Sequence, residues 1–157
     1  MKGYEVLARA LCTSADHCYA VPGYPVTELA GETRAEMVGA EKVALEYALG
    51  DSISGKRAAV IVKNVGLNAC ADPIVQATTQ GLIGGVVIVA GDDPGAEAST
   101  SATSGVPVHR SLSIPAFATG NPSKDRTISS LIDEGQPLIL VPVRVRVTPA
   151  SSPGPGV

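Results

Sequence analysis

The chain has no tryptophan, one phenylalanine and four tyrosines among its 157 residues. An interior this poor in aromatics must be filled by Ala, Val, Ile and Leu. With 17 glycines, that composition suits close helix-on-sheet packing better than an aromatic-rich β-sandwich. Cysteine is scarce too. Cys12, Cys18 and Cys70 form no C-x-x-C pair and leave an odd one out. That argues against a disulfide framework, a zinc site or an iron–sulfur site within the chain. Buried, reduced thiols in a cytoplasmic protein are the expectation. There is no basic run and the net charge is −3, so the chain lacks the cationic footprint of a nucleic-acid binder. No apolar run reaches the roughly 20 residues needed to span a bilayer, and the expectation is no membrane partner. Met1-Lys2-Gly3 leads straight into an amphipathic segment with Glu5 and Arg9, unlike a signal peptide. One intracellular domain is expected, long enough to bury about two-thirds of its unfolded surface.

Several catalytic signatures are missing as well. No G-x-S-x-G elbow is present, and His17 and His109 have no evident nucleophile beside them. The Rossmann G-x-G-x-x-G is absent. Gly50 and Gly55-Lys56 approach P-loop spacing, but Arg57 stands where Ser or Thr is needed and the segment precedes its strand. Gly91-Asp92-Asp93 with Asn121 downstream has the outline of a magnesium–diphosphate motif. Its third position is Asp, however, and a solvated turn at a strand end explains it equally. No metal-ligating residue is expected in this chain.

What is present is an alternation of helix and strand. Residues 3–14 have helical spacing through Val6, Leu7, Ala10 and Leu11. Residues 18–21 read as a short strand stopped by Pro22-Gly23, and 24–30 as a loop feeding a brief helix. Residues 33–39 read as a second strand with Met37 and Val38 as its apolar part. A helix begins at Glu41, with Val43, Ala44, Tyr47 and Ala48 on one face, and Gly50 is expected to end it. The strand 58–63 follows, then a turn over 64–68 and a helix over 69–80 that must hold Pro73 in its first turn. Gly84-Gly85 opens the strand 86–90. Farther on, 96–105 reads as a loop, 114–118 as an edge strand and 122–134 as a helix capped by Ser123 and ended by Gly135. Residues 138–143 read as a last strand, at an edge because of Pro142. The expected domain covers residues 1–147, with a disordered Pro/Ser/Gly tail over 148–157. All-apolar strands alternating with helices predict an α/β three-layer sandwich, a mostly parallel sheet with helices on both faces. In such sheets the crevice lies beyond the carboxyl ends of the strands, where Pro22-Gly23, Asn64-Val65-Gly66 and Asp92-Asp93-Pro94 fall.

Glu41 has two readings on local grounds. A carboxylate in a helix's first turn complements the helix dipole and needs no function. It can equally be aimed from that helix start into a cofactor crevice. Lys63 is, by position, a solvated lysine at a strand end, and Asp72-Pro73 a helix start.

Taken together, several stretches resemble a known family. Glu41-Lys42-Val43-Ala44-Leu45-Glu46, the run Lys63-Asn64-Val65-Gly66-Leu67-Asn68 with Ala71-Asp72-Pro73, Gly84-Gly85-Val86-Val87 and Asp92-Asp93-Pro94-Gly95 are similar to the alpha subunit of indolepyruvate ferredoxin oxidoreductase. Pro22-Gly23-Tyr24-Pro25-Val26-Thr27-Glu28 resembles that family's Pro-Gly-Thr-Pro-Ser-Ser-Glu stretch. The matches run over about residues 3–97 and fall on the pyrimidine-binding (PYR) domain of thiamine-diphosphate enzymes. The resemblance implies that Glu41 hydrogen-bonds N1′ of the cofactor's aminopyrimidine and so activates it. It implies that Pro22, Gly23, Lys63, Asn64, Val65 and Gly66 contact the cofactor, and that Tyr24 and Thr27 face a 2-oxoacid substrate. Tyr24 stands where the family carries a small Thr, which points to a different substrate choice. Asn64 replaces a His usual after that Lys.

The family's diphosphate-binding (PP) domain, with its Mg²⁺, is not expected within these 157 residues. A partner subunit in a homodimer or heterotetramer is therefore implied. The single-domain length also resembles split 2-oxoacid decarboxylases of the sulfopyruvate or phosphonopyruvate type. A non-catalytic, ligand-binding α/β module is the alternative of another class.

Overall fold

A computed structural model describes residues 2–92 and the strand 138–144. The expected edge strand at 114–118, the helix at 122–134, the loop at 96–105 and the tail lie outside the described residues. In chain order the elements are α1 (Gly3–Ser14), β1 (His17–Ala20), α2 (Thr27–Glu32), β2 (Glu36–Met37) and α3 (Glu41–Ile53). Then come β3 (Ala58–Lys63), a 3-10 turn (Asn64–Asn68), α4 (Ala71–Gln80), β4 (Val86–Asp92) and β5 (Leu138–Arg144).

The five strands form one sheet in the order β2-β1-β3-β4-β5, and every pairing is parallel. β3 alternates between two cores. Ala59 and Ile61 join Leu7, Leu11, Val26 and Leu29 beneath α1 and α2. Ala58, Val60 and Val62 join Ala44, Leu45, Ala48, Leu67 and Ile74 beneath α3 and α4. Both faces are covered, so the strand is apolar from Ala58 to Val62, and only its last residue, Lys63, is charged. The expected three-layer α/β sandwich is the architecture observed.

Four expectations need correction. Gly50 does not end its helix: α3 runs on to Ile53, and Gly55, with φ of +79°, makes the turn. Tertiary contacts hold the extra turn. The buried Ser52 hydroxyl donates to the Gly84 carbonyl at 2.5 Å, and the Gly84 N–H donates to the Ser52 carbonyl at 2.9 Å. The buried face of α3 is Ala44, Leu45, Ala48 and Ser52, with Tyr47 exposed, so the helix is rotated from the face read in the sequence. The second strand shrinks to Glu36–Met37 at the sheet edge, where Met37 is exposed. The thiols are free, but only Cys70 is fully buried; Cys12 is exposed. Pro73 does fall in the first turn of α4. Within the described strands, β5 is the edge, which accommodates Pro142 opposite Ala90.

At the amino-terminal end of the sheet, α3 is tied to β1. The Tyr19 hydroxyl donates to Asp51 Oδ2 at 2.7 Å, and His17 Nδ1–H donates to the same oxygen at 2.8 Å. The Tyr47 ring packs edge-on against Tyr19, 5.7 Å between centroids. Burial pushes the Asp51 carboxyl up, but the Tyr19 and His17 hydrogen bonds and the charges of His17 and Lys56 outweigh it. Its pKa falls below the ordinary aspartate value.

These contacts give two expected outcomes. Gly50 is exposed, helical and faces open space, so Gly50→Ala should stabilise the fold by about 0.5–1 kcal/mol. Gly55→Ala forces a Cβ into left-handed backbone and should cost about 1 kcal/mol, read as opposite shifts of the urea midpoint. A depressed native pKa stabilises above the unfolded value and loses that contribution as pH falls. The stability advantage of wild type over Asp51→Asn should therefore shrink as pH falls below about 4, measured by unfolding across pH.

Candidate functional site

Parallel strands point their carboxyl ends one way, and the loops that leave them share one end of the sheet. β2 lies on one side of β1, and β3, β4 and β5 lie on the other, so the strand order reverses between β1 and β3. Connections diverge there and leave a crevice. Ala20, the last residue of β1, pairs with Ile61, and β3 continues to Lys63. Lys63 therefore projects past the end of β1, beside the loop that leaves it.

That loop is held from several directions. Val21 N–H donates to the Ile61 carbonyl, and Val26 N–H donates to the Gly23 carbonyl at 3.0 Å. The Tyr24-Pro25 peptide is cis. Pro25 and Val26 are buried over Gly91 at the end of β4, where Val26 fills the space a Cβ would need. Lys63 lies along Gly23: a Cβ there would stand 2.6 Å from Lys63 Cε and 3.4 Å from its Nζ. Among the described residues the Lys63 ammonium has no ion-pair partner.

Glu41 reaches the crevice from the other side. After β2, Val38 N–H donates to the Ala20 carbonyl at 2.8 Å, and α3 opens at Glu41 behind the extended Ala40. α3 is laid so that its amino terminus, the positive end of its dipole, is at the carboxyl end of the sheet. The half-buried Glu41 side chain turns onto the 3-10 turn after β3. A Cβ on Gly66 would stand 2.5 Å from Glu41 Cγ, 2.6 Å from Oε1 and 2.8 Å from Cδ. Its neighbour Lys42 bonds Asp72 at 2.8 Å, lashing the start of α3 to the start of α4. Asp72 thus has the helix-start role its sequence suggests.

The structure brings Glu41 onto Gly66 and Lys63 onto Gly23, around one crevice. Asn64 is buried and Val65 half-buried in the 3-10 turn between them. Pro22, Tyr24 and Thr27 are exposed, Tyr24 at 44% and Thr27 as the first residue of α2. One residue near Glu41 was not singled out as a site residue. Burial, and then the Glu41 carboxylate, push the Cys70 thiol up to about 12. An electrostatic influence across 29 positions leaves no local signal. A second concavity of about 380 Å³ lies at the opposite end of the strands, lined by Cys12, Asp16, His17, Thr33, Arg34 and Glu36 among others. It holds no strand carboxyl end, and His17 Nδ1 there is engaged by Asp51. Among the described residues no three His, Cys, Asp or Glu side chains are grouped to hold a metal ion. No helix among them is long and apolar enough to cross a membrane.

No protein-family model matches the chain. Indolepyruvate oxidoreductase subunit IorA of Archaeoglobus fulgidus is 37% identical over 111 residues, covering 62% of this chain and 18% of that relative. IorA of Thermococcus kodakarensis is 40% identical over 84 residues, covering 48% of this chain and 13% of the relative. IorA of Methanothermobacter marburgensis is 30% identical over 108 residues, covering 69% and 18%. The chain thus spans less than a fifth of the length of these relatives. A solved 2-oxoglutarate:ferredoxin oxidoreductase from Magnetococcus marinus, with 2-oxoglutarate, coenzyme A and succinyl-CoA bound, superposes with a TM-score of 0.72. The match covers 92% of this chain and 29% of that one at 15% identity, which shows a shared fold. This chain is accordingly a homologue of one segment of indolepyruvate oxidoreductase subunit IorA, built on a fold also found in a 2-oxoacid:ferredoxin oxidoreductase.

Proposed function

We propose that the chain supplies the pyrimidine-binding half of a thiamine-diphosphate-dependent 2-oxoacid oxidoreductase of the indolepyruvate type, with Glu41 as the activating carboxylate. The observation that carries this reading is the course of the Glu41 side chain. It leaves the first turn of α3 and lies on Gly66 at the β1/β3 switch point, rather than standing in solvent as a dipole-complementing glutamate would.

The residues present fit the cofactor's aminopyrimidine. An aminopyrimidine ring needs room between polar side chains, which Gly23 and Gly66 provide by letting Lys63 and Glu41 lie flat against them. It also needs an oxygen able to share a proton with a ring nitrogen, which a carboxylate provides. Pro22, Gly23, Lys63, Asn64, Val65 and Gly66 would hold and orient the ring. Tyr24 and Thr27, on the loop after β1, would face the substrate. The bound cofactor supplies the carbon nucleophile and electron sink that 2-oxoacid chemistry requires. Glu41 holds the proton at the ring nitrogen, the buried Pro25 and Val26 exclude water beneath the loop, and the Lys63 ammonium attracts an anionic substrate. The diphosphate and its Mg²⁺ would be held by a diphosphate-binding partner, in a homodimer or heterotetramer. The names of the relatives support the oxidoreductase over the decarboxylase branch.

Co-expression with a diphosphate-binding partner chain should give 2-oxoacid turnover that needs thiamine diphosphate, Mg²⁺ and a low-potential electron acceptor. Glu41→Gln should lower kcat by about 10²-fold or more. Turnover unchanged by Glu41→Gln would contradict the reading, and turnover without an acceptor would move it to the decarboxylase branch.

A further inference from the structure

Glycine is retained where backbone or space requires it, and the two causes separate cleanly here. Gly23, Gly55 and Gly81 have positive φ; Gly66 does not. Gly66 lies inside the 3-10 turn Asn64–Asn68, in a conformation that alanine adopts without strain. What a Cβ on Gly66 would meet is one side chain. All three nearest heavy atoms, at 2.5 to 2.8 Å, belong to Glu41. Among the described residues, no hydrogen bond or ion pair fixes the Glu41 carboxylate. Its cap residue, Ala40, carries no side-chain oxygen, and neighbouring Lys42 is taken by Asp72. The course of Glu41 is therefore set by the surface it lies on.

We infer that Gly66 is a positioning residue: its bare backbone is the seat that holds the Glu41 carboxylate in the crevice. This rests on the reading of Glu41 as the cofactor-activating group, and it gives Gly66 a role other than contact with the ring. The glutamate stem is flexible and its first bonds are free to rotate. An added methyl at residue 66 would thus leave the fold intact while turning the carboxylate aside.

The test compares wild type, Gly66→Ala, Glu41→Ala and the double variant. In the isolated chain, Gly66→Ala should keep a thermal midpoint close to wild type, shift the ¹³C carboxyl resonance of Glu41 and abolish the NOE between Glu41 Hγ and Gly66 Hα. In the partner complex, Gly66→Ala should lower kcat by about 10²-fold, the usual cost of a misplaced catalytic group. It should add nothing further in the Glu41→Ala background.

An unmoved Glu41 resonance in Gly66→Ala overturns the inference. So does unfolding of Gly66→Ala that persists in the Glu41→Ala background, because the glycine would then serve the backbone. A shifted resonance with turnover indifferent to Glu41→Gln would leave the seat in place as geometry and overturn the catalytic reading on which its role depends.

Discussion

The parallel pairing of β1 with β3 is the constraint on which the candidate site depends. Its register, His17 opposite Ala58 through Ala20 opposite Ile61, fixes where each strand stops relative to the other. β3 outlasts β1 by two residues, about 6.6 Å, and that overhang carries Lys63 to the level of Pro22-Gly23. A slip of one residue would turn Lys63 to the opposite face and bring charge into the core. The register is protected because both faces of β3 are buried, so either slip places every side chain in the wrong core.

α3 brings Glu41 to the crevice which that pairing creates. Thirteen residues span about 20 Å, enough to run from one end of the sheet to the other. Glu41 is at the carboxyl end of the strands, and Asp51 and Ser52 are at the amino end. There they are anchored by Tyr19, His17 and Gly84. At the crevice end Lys42 holds Asp72 across an exposed gap, an ion pair worth little alone. The buried small residues Ala44 and Ala48 let the helix sit close to the sheet. The helix is thus held far from the crevice more firmly than at it.

Much of this was legible in the sequence, for reasons that differ by element. Residues 58–63 read as a strand because a doubly buried parallel strand is apolar without interruption, and the limits matched. Residues 3–14 read as a helix because their apolar spacing serves a single core. Gly50 was misleading because a glycine after an apolar run looks like a helix stop. What extends the helix is Ser52 bonding Gly84, 32 positions away, which no local pattern carries. Tyr47 looked like part of the buried face, yet it lies half over Tyr19 and half in solvent. Of the site, Glu41 and the two strand-end loops were legible through position and family resemblance together. The contacts of Glu41 with Gly66, and of Lys63 with Gly23, required the fold.

The most direct measurement is a crystal structure of the chain bound to a diphosphate-binding partner with thiamine diphosphate. The expected result is the aminopyrimidine ring in the β1/β3 crevice, with the Glu41 carboxylate hydrogen-bonded to its ring nitrogen. A cofactor whose pyrimidine lies outside that crevice, or one bound there with Glu41 turned away from the ring, would contradict it.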